Sequence, residues 1–208
     1  PPSAFISYQD GTGSPYPGPY RQGADNVTMV VDFSEEMEAT PTLNLVGATT
    51  NNDLPLTLDQ TNPKRYRHTL SIPAGDGLVQ VSLHGADSAG NQVQTVPTSG
   101  DNFTLDNTAP TGSLTFSGPG AQDGYTNTNS VNIQFTAQDA FGIAAYLTRL
   151  DNASVPEISD FVDTIAPTSI SLSPGDGSKT IYGWAMDTTG NIGGPFTDNI
   201  TLDTQPPV

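Results

Sequence analysis

Two stretches of this chain repeat each other without a gap. PAGDGLVQVSLHGADSAGN occupies positions 73–91, and SPGDGSKTIYGWAMDTTGN occupies 173–191. Gly75, Asp76 and Gly77 fall on Gly175, Asp176 and Gly177, and Asp87, Gly90 and Asn91 fall on Asp187, Gly190 and Asn191. Downstream, Thr104-Leu105-Asp106 returns as Thr201-Leu202-Asp203 with a short slip. Upstream, Tyr20 and the run Val27, Met29, Val31, Phe33 match Tyr125 and Val131, Ile133, Phe135, Ala137. A period of about 100 residues is the length of a domain, well beyond the units that stack into solenoids. The chain therefore reads as two copies of one domain, 1–109 and 110–208, joined near 107–111.

Each copy reads as all-β. In NVTMVVDF the apolar residues recur at every second position, and LVQVSLHG does the same over Val79, Val81 and Leu83. That alternation belongs to strands with one buried face. AFISY, TLNLV, YRHTLSI and NFTLD add strands to copy one; GSLTF, SVNIQF, AAYLTRL, SISLS, KTIYGWAM and NITL supply copy two. Gly, Pro, Asn and Asp gather between them, as turns require. Six or seven short strands in about 100 residues predict two tandem immunoglobulin-like, Greek-key β-sandwiches.

Charge narrows the partners. Six basic residues face 22 acids, a net charge of −16. This excludes nucleic acid and disfavours anionic membrane. No apolar run reaches the roughly 18 residues a spanning helix needs, so no membrane insertion is expected from this segment. Aspartates outnumber glutamates by 18 to 4, and the shorter side chain suits turns and compact cation sites. There is no cysteine, so no disulfide staples the fold. The proline-rich ends, PPSAF and DTQPPV, lead to the expectation of an internal piece of something longer.

With these residues in view, GDGSKTIYGWAMDTTGNIG followed by NITLDTQPP resembles the bacterial immunoglobulin-like repeats of large surface adhesins and other exported proteins. FSEEMEATPTLNL at 33–45 is similar to a segment of the same repeats. The likeness covers nearly the whole chain and is clearest at 73–110 and 173–207. It departs from antibody domains in lacking a cysteine pair and in placing the single tryptophan, Trp184, late in the domain. The resemblance implies tandem arrays outside the cell, at the surface or secreted, often with calcium at the junctions, and no catalysis.

In a sandwich of this kind, Asp139 follows the second strand of copy two, Asp187 opens the loop between its last two strands, and Asp106 precedes the linker. The topology directs all three to the junction. Asp76 approaches from a turn of copy one, with acids of the Asp10–Asp25 loop beside it, and Asn107 and Asn191 offer carbonyl oxygens. Converging carboxylates repel unless a proton or a cation intervenes, and Ca²⁺ accepts such an all-oxygen shell. Copy one presents the equivalent Glu35, Glu36 and Asp87 as a half-built site facing a preceding domain. Plain turn chemistry accounts for the same aspartates, because Asp before Gly or Asn caps its own backbone. Both readings stand at this point.

Other constellations are weaker. His68 and His84 lie in strands, apart from any cysteine, and no Gly-x-Ser-x-Gly elbow or phosphate-cradling loop occurs. No enzyme is expected. Tyr16 and Tyr20 in GTGSPYPGPY suit a packed loop or a sugar-stacking surface. Trp184 aligns with His84 on the outer face, as a carbohydrate platform or a ring half-covered by a neighbouring strand. Four Asn-x-Ser/Thr triplets need no explanation in a chain this rich in Asn and Thr. The functional expectation is a non-catalytic extracellular stalk or spacer module, with neighbouring repeats as partners and calcium as stiffener. The alternatives are a module binding a glycan or a host protein, and an accessory pair in a secreted polysaccharide-degrading enzyme.

Overall fold

The structure, a computed structural model, describes residues 1–16, 18–23, 26–118 and 121–206. The chain divides into two compact units, Pro1–Asn107 and Thr108–Val208. No helix among the described residues is long and apolar enough to cross a membrane.

The first unit contains β1 (Ala4–Gln9), β2 (Asn26–Phe33), β3 (Thr42–Gly47), β4 (Asn51–Pro55), β5 (Thr57–Leu58), β6 (Arg65–Ser71), β7 (Gly77–His84) and β8 (Asn102–Leu105). They form two sheets, in spatial order β1-β2-β6-β5 and β4-β3-β7-β8. The chain crosses between sheets after β2, after β4 and after β6, which is the immunoglobulin-like Greek-key course. The alternation sets which side chains turn inward. Val27, Met29 and Val31 of β2 face Leu43 and Leu45 of β3 and Val79, Val81 and Leu83 of β7 in one buried core. Burying each of these side chains is worth about 1.5–3 kcal/mol over leaving it in water, and a one-residue slip would forfeit the whole set.

Tyr20 is fully buried in that core, edge-on to Phe103 with ring centres 5.9 Å apart and to Tyr16 at 5.1 Å. Its hydroxyl donates to the Tyr16 carbonyl, and the Tyr16 hydroxyl donates to the Pro19 carbonyl at 2.8 Å. The Gly/Pro-rich loop is thus a packed one. Pro17 of that loop and Asp25 lie outside the described residues.

The outer face of β1, β2 and β6 carries ion pairs. Arg65 meets Asp32 at 2.7 Å and Arg67 meets Asp59 at 3.1 Å. The Thr61 hydroxyl and amide also donate to Asp59, and with Arg67 they hold its carboxyl at about 2. A carboxylate whose folded value lies below its unfolded value stabilises fully above the unfolded value, near 3.9, and loses that contribution as pH falls through the folded one. The expected result is an Asp59 carboxyl-carbon NMR titration with a midpoint of about 2. The first unit's melting temperature should fall between about pH 4 and pH 2, and Asp59→Asn should shrink that fall.

The second unit contains β9 (Thr111–Ser117), β10 (Tyr125–Thr126), β11 (Ser130–Gln138), β12 (Ile143–Leu150), β13 (Ser169–Ser171), β14 (Gly177–Asp187) and β15 (Ile192–Leu202). Its sheets run β13-β11-β9 and β10-β15-β14-β12. Leu114, Ile133, Phe135, Ile181, Ala185, Ile200 and Leu202 form the core. Phe135 meets Tyr146 and Phe196 edge-on, with ring centres at 5.1 and 5.9 Å. Gly183 leaves room for this cluster: a Cβ there would stand 2.8 Å from Leu114 Cδ2 and 3.0 Å from the Phe135 ring.

Three features differ from the sequence reading. The final strand begins at Ile192 and runs through Gly193, Gly194 and Pro195, which read as a turn. Gly193 lies against the Pro110 carbonyl and Gly194 against the Gly183 carbonyl and the Trp184 ring, so side chains are excluded where the strand is to pass. The stretch at 48–65, where the sequence reading places no strand, holds the edge strand β4 and the short β5. Polar NNDLP hid β4, since an edge strand buries little. Trp184 is 2% exposed, neither a platform nor half-covered. It points away from the core side of β14, where Ile181 and Ala185 lie. Tyr182 stacks beside it, with ring centres 6.2 Å apart. The Arg149 guanidinium lies over its face at 5.7 Å, a favourable cation–π contact. Arg149 in turn holds the Ser154 carbonyl at 2.8 Å and Asp160 at 2.9 Å. His84, at the aligned position of the first unit, is exposed.

Candidate metal centre

The two Asp-x-x-Gly-Asn stretches fold into the same closed turn. Gly90 and Gly190 have φ of +82° and +93°, a left-handed conformation that glycine adopts freely. In the first unit Asp87 Oδ1 accepts from the amides of Ala89 and Asn91 at 2.8 and 2.9 Å, and Oδ2 accepts from Asn91 Nδ2 at 2.7 Å. In the second, Asp187 Oδ1 accepts from the amides of Thr189, Gly190 and Asn191 at 2.8, 2.6 and 2.9 Å. Its Oδ2 accepts from Asn191 Nδ2 at 2.8 Å. Both aspartates are almost wholly buried. Hydrogen bonds from the Asn91 side chain and amide, outweighing burial, hold the Asp87 carboxyl below the usual carboxylate range. The turn uses both carboxylate oxygens as acceptors, whatever else the carboxylate does.

In the second unit this turn is tied to the loop that follows β11. Asp139 Oδ1 accepts from the Phe141 amide at 2.8 Å, and the Gly142 amide donates to the Asp139 carbonyl at 3.2 Å. Thr188 donates through its hydroxyl to the Phe141 carbonyl at 3.0 Å and through its amide to the Gly142 carbonyl at 3.3 Å. Two loops so laced bring Asp139 and Asp187 together, with carboxylate oxygens within 4.8 Å of each other. Two unit charges at that distance repel by roughly 1–4 kcal/mol at effective dielectrics between water and a protein surface. A cation between them removes that cost.

The pair lies at the end of the unit where the chain arrives. β9 begins at Thr111, paired with Gln138, the residue before Asp139. Pro110 is packed against Gly193, two residues beyond the Asp187–Asn191 turn. The first unit repeats this arrangement: the Gln94 amide, just past the Asp87–Asn91 turn, donates to the Pro2 carbonyl at 2.9 Å. Asp106 follows β8 of the first unit, and its amide donates to the Tyr20 carbonyl at 3.0 Å.

Asp76 and Asn107 are engaged inside the first unit. Asp76 Oδ1 accepts from the Asn107 amide at 2.6 Å. The Asn107 carboxamide accepts from the Gln22 amide at 2.6 Å and donates to the Gly75 carbonyl at 2.5 Å, clamping the end of the unit to its 73–77 corner. Asp176 does the same work in the second unit, accepting from Thr204; those bonds, from the hydroxyl and then the amide, lower its pKa. Asp10 caps its own turn through Thr12 and Ser14. Met37 bridges to Asp87, but among the described residues Glu35, Glu36 and Asp87 do not gather into one carboxylate cluster. The lacing role of Thr188 was not read from the sequence; its only signal there was its place inside the Asp-x-x-Gly-Asn turn.

His68 Nδ1 lies 3.0 Å from the Pro55 carbonyl, and His84 Nε2 lies 3.2 Å from Asn44 Nδ2. Neither of these partners is a hydroxyl.

No family model matches the chain, and no curated protein matches it. Solved structures similar to it include the fibronectin(III)-like modules of Clostridium thermocellum CbhA, at 16% identity over 94% of this chain and 93% of that one, with a TM-score of 0.39. The Escherichia coli adhesin FdeC is similar at 14% identity over 97% of this chain, which spans 64% of that structure, with a TM-score of 0.43. The D00-D0 domain of intimin is similar at 9% identity over 96% of this chain and 100% of that one, with a TM-score of 0.33.

Proposed function

We propose that this chain is a non-catalytic module of an extracellular or cell-surface protein, in which two immunoglobulin-like sandwiches serve as consecutive links and Ca²⁺ stiffens the joint. The observation that carries the reading is the Asp139–Asp187 pair, held ready by two laced loops at the end of the unit where the chain arrives. Asp106 is the proposed third carboxylate. It stands four residues before Pro110, and a tether of four residues spans at most about 14 Å. Three amides donate to Asp187 Oδ1, so the cation would bind through Oδ2, a carboxylate oxygen that accepts a second partner beside Asn191 Nδ2. Backbone carbonyls and water would complete the six to eight oxygens that calcium takes. Asn107 and Asp76 are left as clamps of the first unit and are not needed as ligands.

Calcium titration of the intact chain by calorimetry tests this. Binding at millimolar or tighter affinity is expected. At calcium a hundred times its dissociation constant the folded state gains about 2.7 kcal/mol. Asp139→Asn should abolish the binding while leaving both units folded, because an asparagine still caps the Phe141 amide. Small-angle scattering should show a longer, stiffer particle with calcium than with chelator. No heat of binding at millimolar calcium would reduce these aspartates to turn residues.

A further inference from the structure

The second unit has one face without charge. On the outer side of its β13-β11-β9 sheet, every outward position is Ser, Thr, Asn or Gln. Ser113 and Thr115 of β9 lie beside Thr136 and Gln134 of β11, and the Ser113 and Thr136 hydroxyls are 2.9 Å apart. Ser169 of β13 lies beside Asn132. All but Ser117 are exposed. The matching face of the first unit is different: it carries the Asp32–Arg65 and Asp59–Arg67 pairs and the exposed ring of Phe5. Two clefts adjoin the uncharged face at opposite ends of β9. One, of about 400 Å³, is lined by Thr111, Gly112, Ser113, Thr136, Ala137 and Gln138. The other, of about 280 Å³, is lined chiefly by Ser117, Thr126, Asn127, Thr128 and Asn132. Among the described residues no lining residue of either is charged.

We propose that this face binds a neutral polysaccharide laid along β9 and β11 from one cleft to the other. Sugar hydroxyls donate and accept at once, and so do the hydroxyls and carboxamides of this face, whereas a charged side chain does only one of the two. A chain of net charge −16 draws cationic partners to its acids, which leaves the uncharged face complementary to a ligand without charge. The distance from Thr111 to Ser117 along β9 is about 20 Å at the usual strand rise, which accommodates several sugar rings. Strand addition by a peptide does not suit this sheet edge, because Asp198 accepts from the Phe116 amide of β9 at 2.7 Å and so blunts it. With no aromatic ring on the face, each contact is a modest hydrogen bond in competition with water. Useful retention then comes from many copies engaging one long polymer. The inference does not depend on calcium or on the stalk reading.

Native gel electrophoresis of the intact chain through gels containing hydroxyethylcellulose, galactomannan or dextran tests it. Retardation by at least one of these, and none by polygalacturonate, is expected. The double variant Thr115→Glu, Gln134→Glu should weaken retardation about tenfold, the equivalent of one or two lost hydrogen bonds. Thr115→Lys with Gln134→Lys should do the same, since the loss follows from charge of either sign. Thr28→Glu, on the outer face of the first unit, should leave retardation unchanged, and circular dichroism should confirm that all variants are folded. Failure of all three neutral polymers to retard the wild-type chain would overturn the proposal. So would retardation that survives both face variants, or stronger retardation by polygalacturonate. Self-association abolished by the face variants, without polymer binding, would assign the face to a second copy and overturn it equally.

Discussion

Replacing Ile181 by alanine should melt the second unit early and leave the first unchanged. Ile181 is fully buried on β14, at the centre of the second unit's core. Truncation removes its transfer free energy and leaves a cavity that the surrounding strands only partly close. The expected cost is about 2–5 kcal/mol. For a domain of about 100 residues each kcal/mol moves the melting temperature by about 4–8 °C, so the shift is on the order of 10 °C or more. None of the core residues of the first unit belongs to this cluster. Calorimetry of the intact chain should therefore show two transitions, only one of which moves. A single transition that moves as a whole would mean that Pro1–Asn107 and Thr108–Val208 do not fold independently. Expression of 108–208 alone would then give an unfolded or aggregating fragment.

Asp187→Ala should cost the second unit about 2–4 kcal/mol even in chelator, because several amides of the turn lose a charged acceptor while remaining shielded from water. Asp187→Asn retains the Oδ1 acceptor for the amides of Thr189, Gly190 and Asn191 and loses mainly the contact to Asn191 Nδ2. It should cost roughly 1 kcal/mol. Chemical denaturation of the three proteins, each with chelator and with millimolar calcium, separates two roles. The capping role shows in chelator and follows the order wild type, Asn, Ala. The proposed cation role shows as a calcium-dependent gain in wild type that both variants lack. A loss seen only with calcium would mean that the carboxylate does not support its turn.

These two roles explain why the motif was ambiguous in the sequence. Asp followed by Gly and Asn writes a turn, and the turn is present at Asp87 and at Asp187 with matching hydrogen bonds. Among the described residues Asp87 belongs to no cluster of three ligating side chains, and the Asp-x-x-Gly-Asn turn folds there regardless. Asn107 shows the limit from the other side. A carboxamide beside a linker suggested a ligand, and the structure gives it local partners: it bonds Gln22, Pro73 and Gly75, from two loops of its own unit.

The strand pattern, the Greek-key sandwich and the inward-facing residues were written in the sequence. Val27-Met29-Val31 and Val131-Ile133-Phe135 repeat every second residue, and a period-two apolar face has no stable home except against another sheet. Tertiary structure alone decided the rest. The cover of Trp184 includes the Arg149 guanidinium, held by the Ser154 carbonyl and Asp160 of a distant connection. The passage of β15 through Gly193 and Gly194 depends on what lies against them, the carbonyls of Pro110 and Gly183. The pairing of Asp139 with Asp187 depends on Thr188 bonding across two loops 48 and 47 positions apart in sequence from the residues they join, Asp139 to Asp187 and Phe141 to Thr188. Periodicity reports a residue's side of its own strand. It holds no information on which distant segment will cover that side, because that is settled by the packing of all strands at once.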